Sequence, residues 1–185
     1  MTISGLPGSG KSAVASRVAE TLDIPHVSAG DFMREMAAER GVSILELSRS
    51  AEGKENIDRE IDERTERLGR NGTDFVMDAR LGWHFIPQSI KIFLEVRPEV
   101  AARRIFGAAR GTEHENVDLE TTERAIESRT ESEKQRYMSY YELDYTDRSH
   151  YDLVIDTSDL TIDEVVQRIT SHLGIDESGM SRRVR

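Results

Sequence analysis

The sequence predicts an α/β fold in which a five-stranded parallel sheet carries helices on both faces. Two observations predict it: five short apolar segments alternate with stretches of helical length, and strands joined by crossover helices pair in parallel. The 185 residues are enough for one domain with a closed core. The predicted strands are Met1 to Ser4, Ile24 to Ser28, Phe75 to Asp78, Ile90 to Val96, and Leu153 to Asp156.

Two of the predicted helices have well-marked boundaries. The first runs from about Lys11 to Leu22 and presents one apolar stripe. The stripe consists of Val14, Val18 and Leu22. Near the other end of the chain, Thr161 and Glu164 have the spacing of a capping box. It opens a helix that we expect to reach about Leu173 and to end before Gly174.

The stretch from Phe32 to Arg70 is richer in charge than a core helix. We expect short helices there, one of them opened by the capping-box pair Ser43 and Glu46, and an end at the Asn71–Gly72 turn. The region is therefore predicted to form a helical flap beside the sheet.

A second such stretch, residues 106–117, contains Gly107 and Gly111 and precedes a helical segment that reaches about Tyr140. We expect it to form a mobile lid. Residues 1–174 then make up a single domain, and residues 175–185, which lack periodicity, a flexible tail.

Composition excludes several classes of protein. With 35 acidic against 25 basic residues, the net charge of -10 argues against a large nucleic-acid surface. The sequence has no apolar run long enough to span a membrane, and we expect a cytoplasmic protein because no leader precedes Thr2. Zero cysteines exclude disulfides, a thiol nucleophile and a zinc ribbon. Any bound phosphate must therefore meet a local concentration of cations.

A glycine-rich loop between the first strand and the first helix, residues 5–12, matches G-x-x-x-x-G-K-[ST], the pattern of a phosphate-binding loop or P-loop. Such a loop wraps phosphates with backbone N–H groups, and the helix dipole adds to the attraction. Lys11 would neutralise the β and γ phosphates of a nucleoside triphosphate, and Ser12 would hold Mg²⁺. The alternative is a glycine turn that merely begins a helix. The predicted nucleotide-binding residues are Gly5, Leu6, Pro7, Gly8, Ser9, Gly10, Lys11, Ser12 and Ala13.

Polar residues follow the second strand, where a doubly wound sheet presents its ligand edge. Ser28, Gly30, Asp31 and Arg34 are candidates for contact with an acceptor. The simpler interpretation makes Ser28 a helix N-cap, Asp31 a complement to the helix dipole and Arg34 a solvated side chain. Capping and ligand contact are compatible, so both interpretations stay open.

Asp78 ends the third predicted strand, the position from which an aspartate reaches a metal-bound water. Arg80 follows it and could reach a phosphate or a base edge. The alternative for Asp78 is an ordinary turn residue.

The stretch from Ala101 to Thr112 contains Arg103, Arg104 and Arg110 and no acidic residue. A lid that closes over a transferring phosphoryl group needs such cations, because negative charge builds on its oxygens. A solvated helix face is the alternative, and we expect one of Arg103 and Arg104 to point outward.

Arg129, Glu133 and Arg136 share one face of a predicted helix, since they are separated by four and then three residues. From spacing alone, exposed salt bridges explain them as well as a binding site does.

Taken together, these segments resemble cytidylate kinases, most closely the archaeal-type branch. The resemblance rests on GLPGSGKS, SAGDFMR, IDREIDER, VMDARLGW, KIFLEV, RTESEKQRYMSYYELDYTD and YDLVIDTSDLTIDEV, in family order. It implies an adenylate-kinase-like P-loop fold and transfer of the γ-phosphoryl group of ATP to CMP or dCMP, with Mg²⁺. It also implies that residues 32–70 bind the monophosphate and that residues 106–117 belong to the lid.

The resemblance assigns roles to particular residues. Arg34 and Arg80 would grip the acceptor, with Ser28, Gly30 and Asp31 lining the same pocket. The trio Arg129, Glu133 and Arg136 would contact its sugar and phosphate groups. Two positions depart from the family pattern, Glu133 where bacterial members usually have aspartate and Ala79 where glycine is common.

The predicted catalytic set is Lys11, Arg80, Arg103, Arg104 and Arg110, with Ser12 and Asp78 at the metal. We expect a monomer whose partners are ATP and CMP or dCMP, and no histidine or serine nucleophile. Two alternatives remain: another small P-loop kinase, acting on adenylate, uridylate or a metabolite such as shikimate, and a catalytically silent nucleotide-binding regulator.

Overall fold

The computed structural model describes residues 1–43, 46–47, 55–109 and 118–175. Five strands form one parallel sheet in the order β2-β3-β1-β4-β5. This arrangement confirms the predicted fold class. The strands are β1 (Thr2–Gly5), β2 (His26–Ser28), β3 (Val76–Asp78), β4 (Lys91–Glu95) and β5 (Leu153–Asp156).

Helices connect the strands. They are α1 (Lys11–Leu22), α2 (Ala29–Glu39), α3 (Glu55–Arg70), α4 (Gly82–Phe85), α5 (Pro98–Ala109), α6 (Leu119–Tyr141) and α7 (Ile162–His172), with a 3-10 turn at Arg148–His150. The bounds predicted for α1 and β5 are confirmed. Strand β2 begins two residues later than predicted because Pro25, which lacks an N–H, precedes it.

Helices cover both faces of the sheet. On one face α1 and α7 pack over the strands, and the side chains at the contact are fully buried. They include Ile3, Val14, Val18, Val165 and Ile169. On the other face Phe93 of β4 packs with Trp83, Tyr137 and Tyr145. Neighbouring residues of β4 thus point into different cores, as the pleat of a strand requires.

Strand register brings the site together. Ser28 and Asp78 are paired at the carboxyl ends of β2 and β3, and Ile3 of β1 pairs with Asp78 on its other side. The loop after β1 therefore begins at the same edge as Ser28 and Asp78. The ligand edge predicted for this sheet is therefore the edge at which β1, β2 and β3 end.

The predicted flap contains α2 and α3, which pack through Met36, Ala37 and Ile57. The predicted Ser43–Glu46 capping box is present, with both backbone N–H groups bonded to the opposite side chain. Residues 44–45 and 48–54 lie outside the described residues.

Phe106 and Gly107 belong to α5, so the first part of the predicted lid continues a helix. Arg110 and the rest of the stretch to Val117 lie outside the described residues, as does the tail from residue 176. The lid and the tail therefore stay predictions. In the part of the chain that is described, the helices are too short or too polar to cross a bilayer.

Candidate active site

The loop between β1 and α1 is shaped by glycines. Gly8 and Gly10 have φ values of 78° and 82°, a region that side chains disfavour. Gly10 caps α1 without a side-chain hydrogen bond, so no cap satisfies the N–H groups of the first helical turn. A bound phosphate would accept hydrogen bonds from these N–H groups.

Lys11 points from this loop to Asp78, and its Nζ contacts the Asp78 Oδ1. Both side chains are largely buried, with 15% and 3% of their surfaces exposed. Burial lowers the pKa of Lys11, and the Asp78 carboxylate opposes that shift. The sequence predicted both residues, and the fold brings them together from 67 positions apart.

Glu133 on α6 is the centre of a buried polar network. Its carboxylate accepts hydrogen bonds from Arg80 Nε at 2.8 Å, Arg129 Nε at 3.0 Å and the Tyr145 hydroxyl at 3.1 Å. Burial alone would raise the pKa of Glu133, but the charge and hydrogen bond of Arg80 outweigh it and leave the pKa below its usual value. Glu133 is therefore a carboxylate that orients two arginines.

Arg136, the third member of the predicted trio, has different partners. Its Nε lies 3.7 Å from the Asp58 Oδ2, and its Nη2 donates to the Tyr137 hydroxyl at 3.4 Å. The shared helical face predicted for the trio is confirmed, since all three residues line one cleft.

That cleft has a volume of about 430 Å³ and lies between the P-loop, the flap and α6. Nine of the predicted site residues line it: Lys11, Ser12, Ser28, Gly30, Asp78, Arg80, Arg129, Glu133 and Arg136. The fold thus joins the nucleotide side and the acceptor side of the predicted site in one cavity.

Asp31 and Arg34 do not line this cleft. Ser28 and Asp31 form a reciprocal capping box at the start of α2, and Arg34 pairs with Asp31. The Ser28 hydroxyl lowers the pKa of Asp31, with Arg34 adding to the shift. Capping is thereby confirmed for Ser28 and Asp31, and contact of Asp31 and Arg34 with an acceptor stays a prediction.

The neighbouring arginines of α5 separate as expected. Arg103 is exposed, and its Nε donates to the Glu99 carbonyl within the helix. Arg104 turns inward and donates to the Thr157 carbonyl at 2.7 Å, the Thr157 Oγ1 at 3.1 Å and the Gly8 carbonyl at 3.3 Å. Arg104 therefore links the P-loop to Thr157, the residue that follows β5.

Sequence reasoning missed several residues of the site. Thr157 holds the P-loop through its Oγ1, which donates to the Ser9 carbonyl at 3.0 Å. Asp58, Asp62 and Tyr141 form one wall of the cleft. A signal for the two aspartates was present in IDREIDER, since each directly follows an isoleucine of the buried helix face.

Comparison with known proteins shows the family of this chain. The cytidylate kinase-like family matches residues 1–159. A cytidylate kinase of Methanothermobacter thermautotrophicus is 42% identical over 158 residues, which cover 85% of this chain and 94% of that protein. An S-adenosylmethionine-dependent nucleotide dehydratase of Lacinutrix mariniflava is 37% identical over 173 residues, which cover 93% of this chain and 35% of that longer protein.

A crystal structure of shikimate kinase from Bacteroides thetaiotaomicron superposes with a TM-score of 0.63 at 16% identity, covering 92% of this chain and 95% of that one. At that identity the likeness concerns the fold alone, and it supports the predicted P-loop kinase architecture. Because the family match spans residues 1–159, which is most of the sequence, the chain belongs to the cytidylate kinase-like family.

Proposed function

We propose that this protein transfers the γ-phosphoryl group of ATP to CMP or dCMP, giving ADP and CDP or dCDP. The observation that carries the proposal is the single cleft that joins Lys11 of the P-loop to Arg80, Arg129 and Arg136. Such a cleft can hold two phosphate groups end to end. The similarity to archaeal cytidylate kinases supports cytidine as the acceptor's nucleoside.

In this reaction a phosphate oxygen of the acceptor attacks the γ-phosphorus as the bond to the β–γ bridging oxygen breaks. The acceptor phosphate is already ionised, so the chain needs neither a general base nor a nucleophile of its own. The P-loop N–H groups and Lys11 bind the donor phosphates, and Arg80 and Arg136 position the acceptor. Their charges stabilise the negative charge that spreads over the transferring group.

Ser12 and Asp78 would serve Mg²⁺. They offer the hydroxyl and carboxylate oxygens that this ion prefers, and both line the cleft. Over the described ranges, no cluster of three or more acidic, histidine or cysteine side chains could hold a metal by itself. This fits an ion that takes its remaining ligands from phosphates and water. Bound Mg²⁺ supplies positive charge to the donor phosphates.

The proposal also keeps most of the remaining predicted roles. Arg34 and Asp31 would approach the acceptor when the flap closes, and Arg104 and Arg110 would act from the lid side, whereas Arg103 is the exposed member of its pair. For Arg104, its bonds to Gly8 and Thr157 support a role in holding the P-loop.

An assay of ADP release across a panel of acceptors tests the function. We expect turnover with CMP and dCMP and little with AMP or shikimate. Faster turnover with AMP, UMP or shikimate would reassign the acceptor to another small P-loop kinase. ATP binding without turnover on any acceptor would favour a silent regulator.

A further inference from the structure

One wall of the cleft carries carboxyls that the proposed reaction does not use. Asp58 and Asp62 project from α3 into the cleft, and Tyr141 joins them from α6. A phosphate dianion avoids such a wall, because like charges repel at short range. Whatever part of the acceptor lies there is neutral and offers hydrogen-bond donors.

Asp62 is held in one orientation. The Tyr141 hydroxyl donates a hydrogen bond to its Oδ2, across 79 positions of sequence. The Oδ1 atom is left to meet a ligand. Because Oδ2 accepts from Tyr141, a proton on this carboxyl is favoured on Oδ1, so the neutral acid has a fixed donor and a fixed acceptor.

The charge state of Asp62 is also set by its surroundings. Burial raises the pKa of Asp62 to about 7, and the nearby Asp58 and Glu66 add to that shift. The Tyr141 hydrogen bond and the Arg136 charge oppose it. Asp62 can therefore carry a proton near neutral pH.

A second observation at this wall concerns two buried polar atoms. The Asp58 Oδ2 and the Arg136 Nε are buried and, within the described part of the chain, have no hydrogen-bond partner. They stand 3.7 Å apart, beyond hydrogen-bond distance. Buried polar atoms are normally satisfied, so a bound molecule is expected to reorganise this pair.

We propose that Asp62 reads the base of the acceptor, with Tyr141 as its positioning residue, and that the pair selects an amino-pyrimidine over a pyrimidine with a carbonyl at the same place. This inference rests on the proposed function and names the residues that choose among its acceptors.

The chemistry of the two edges matches. Cytosine presents an amino donor beside a ring-nitrogen acceptor, and the neutral Asp62 presents an acceptor at Oδ2 beside a donor at Oδ1. Uracil presents a carbonyl beside a ring N–H, the reverse arrangement, so it would face two unmatched pairs. Apolar side chains in the lining of the cleft suit the faces of a planar ring, and they include Met33, Ile57, Ile61 and Phe85.

Because the proposed contact needs the protonated form of Asp62, it predicts a pH dependence of CMP binding. The groups around Asp62 are Tyr141 and Arg136 from α6, Asp58 and Glu66 from α3, and Lys11 and Arg80 across the cleft. When Asp62 ionises, its Oδ1 lone pairs oppose the ring nitrogen of cytosine. The KM for CMP should therefore rise by about tenfold per pH unit above the Asp62 pKa.

The experiment measures kcat/KM for CMP, dCMP and UMP between pH 6 and about pH 9, with CMP and UMP binding by calorimetry. In Asp62→Ala we expect the preference for CMP over UMP to fall about 10- to 100-fold. Asp62→Asn imitates the neutral acid, so it should keep the preference and lose the rise of KM with pH. Tyr141→Phe should relax the preference and move that rise to higher pH, because a bond favouring the carboxylate is lost.

The matched control is Glu63→Gln, which removes a carboxyl from the exposed face of the same helix. It should keep the wild-type preference and pH profile. If Asp62→Ala does not fold, Asp62→Asn and Tyr141→Phe still decide through the pH profile.

An unchanged CMP-to-UMP ratio in Asp62→Ala would overturn the inference, as would a wild-type pH profile in Asp62→Asn. A shift confined to the ratio of CMP to dCMP would assign Asp62 to the sugar instead. Loss of thermal stability with all ratios unchanged would make the pair a structural tie. Absence of CMP turnover in the wild-type protein would contradict the proposed function itself, and this result is distinct from the others.

Discussion

Arg80 Nε donates a hydrogen bond to the Glu133 Oε2 at 2.8 Å and so connects the edge of β3 to α6 across 53 positions of sequence. Only 14% of the Arg80 side chain and 11% of the Glu133 side chain are exposed. The pair lies beside the Lys11–Asp78 contact in the same cleft. Two buried cations of the cleft are thus held by separate carboxylates, Asp78 for Lys11 and Glu133 for Arg80.

Arg80→Ala should impair the acceptor far more than the donor. We expect KM for CMP to rise by about 100-fold, since a charge-assisted contact to phosphate is lost, while KM for ATP changes less than about threefold. Initial-rate kinetics with each substrate varied would show it. Equal losses for both substrates would contradict the placement of Arg80 on the acceptor side.

Glu133→Gln should lower stability in a pH-dependent way. The pKa of Glu133 is lowered in the folded protein, so its carboxylate stabilises the fold above its unfolded pKa, and this contribution is lost as pH falls through the folded value. Urea unfolding should show a loss of about 2 kcal/mol at pH 7 and a smaller loss near pH 4. A loss that does not vary with pH would contradict this assignment.

Lys11→Ala should reduce turnover by about 10³-fold, because the positive charge at the donor phosphates is removed. The fold should remain, as judged by circular dichroism, because Lys11 lies outside the apolar core between the sheet and its helices. Lys134→Ala, a lysine paired with Asp144 away from this cleft, is the control and should keep its turnover. Near wild-type rates in Lys11→Ala would refute the P-loop assignment.

Arg104→Ala and Arg103→Ala should behave differently although the residues are adjacent. Arg104 donates to Gly8 and Thr157, so its loss should raise KM for ATP about tenfold by loosening the P-loop. Arg103 is exposed and donates a hydrogen bond to Glu99 of its own helix, and its loss should change KM less than about twofold. A larger effect at Arg103 would indicate that it meets ATP directly.

Gly8→Ala should destabilise more than Gly41→Ala. Both glycines have positive φ, but a Cβ on Gly8 would lie 2.7 Å from the backbone of Ala101, whereas one on Gly41 meets nothing within 4 Å. We expect about 1 kcal/mol for Gly41→Ala and at least about 3 kcal/mol for Gly8→Ala, from thermal or urea unfolding. Similar values would mean that α5 can shift away from the loop.

Much of the fold follows from local signals. Helix α1, the capping boxes at Ser43 and Thr161, and the five strands depend on residues a few positions apart, so short-range hydrogen bonds and apolar periodicity predict them. The P-loop is equally local, because one strand, one turn and one helix form it.

The contacts between the site residues, by contrast, could not be predicted from local sequence. The sequence by itself predicted Lys11, Asp78 and Arg80 as candidates for a phosphate site, since they stand in a P-loop or at a strand end, and it predicted a helical face that Glu133 shares with two arginines. Only the tertiary structure decided that Arg80 meets Glu133, that Arg104 turns to Thr157 and that Asp62 meets Tyr141. These contacts join segments 53 to 79 positions apart, and their geometry is set by strand order and helix packing, which no short stretch of sequence contains.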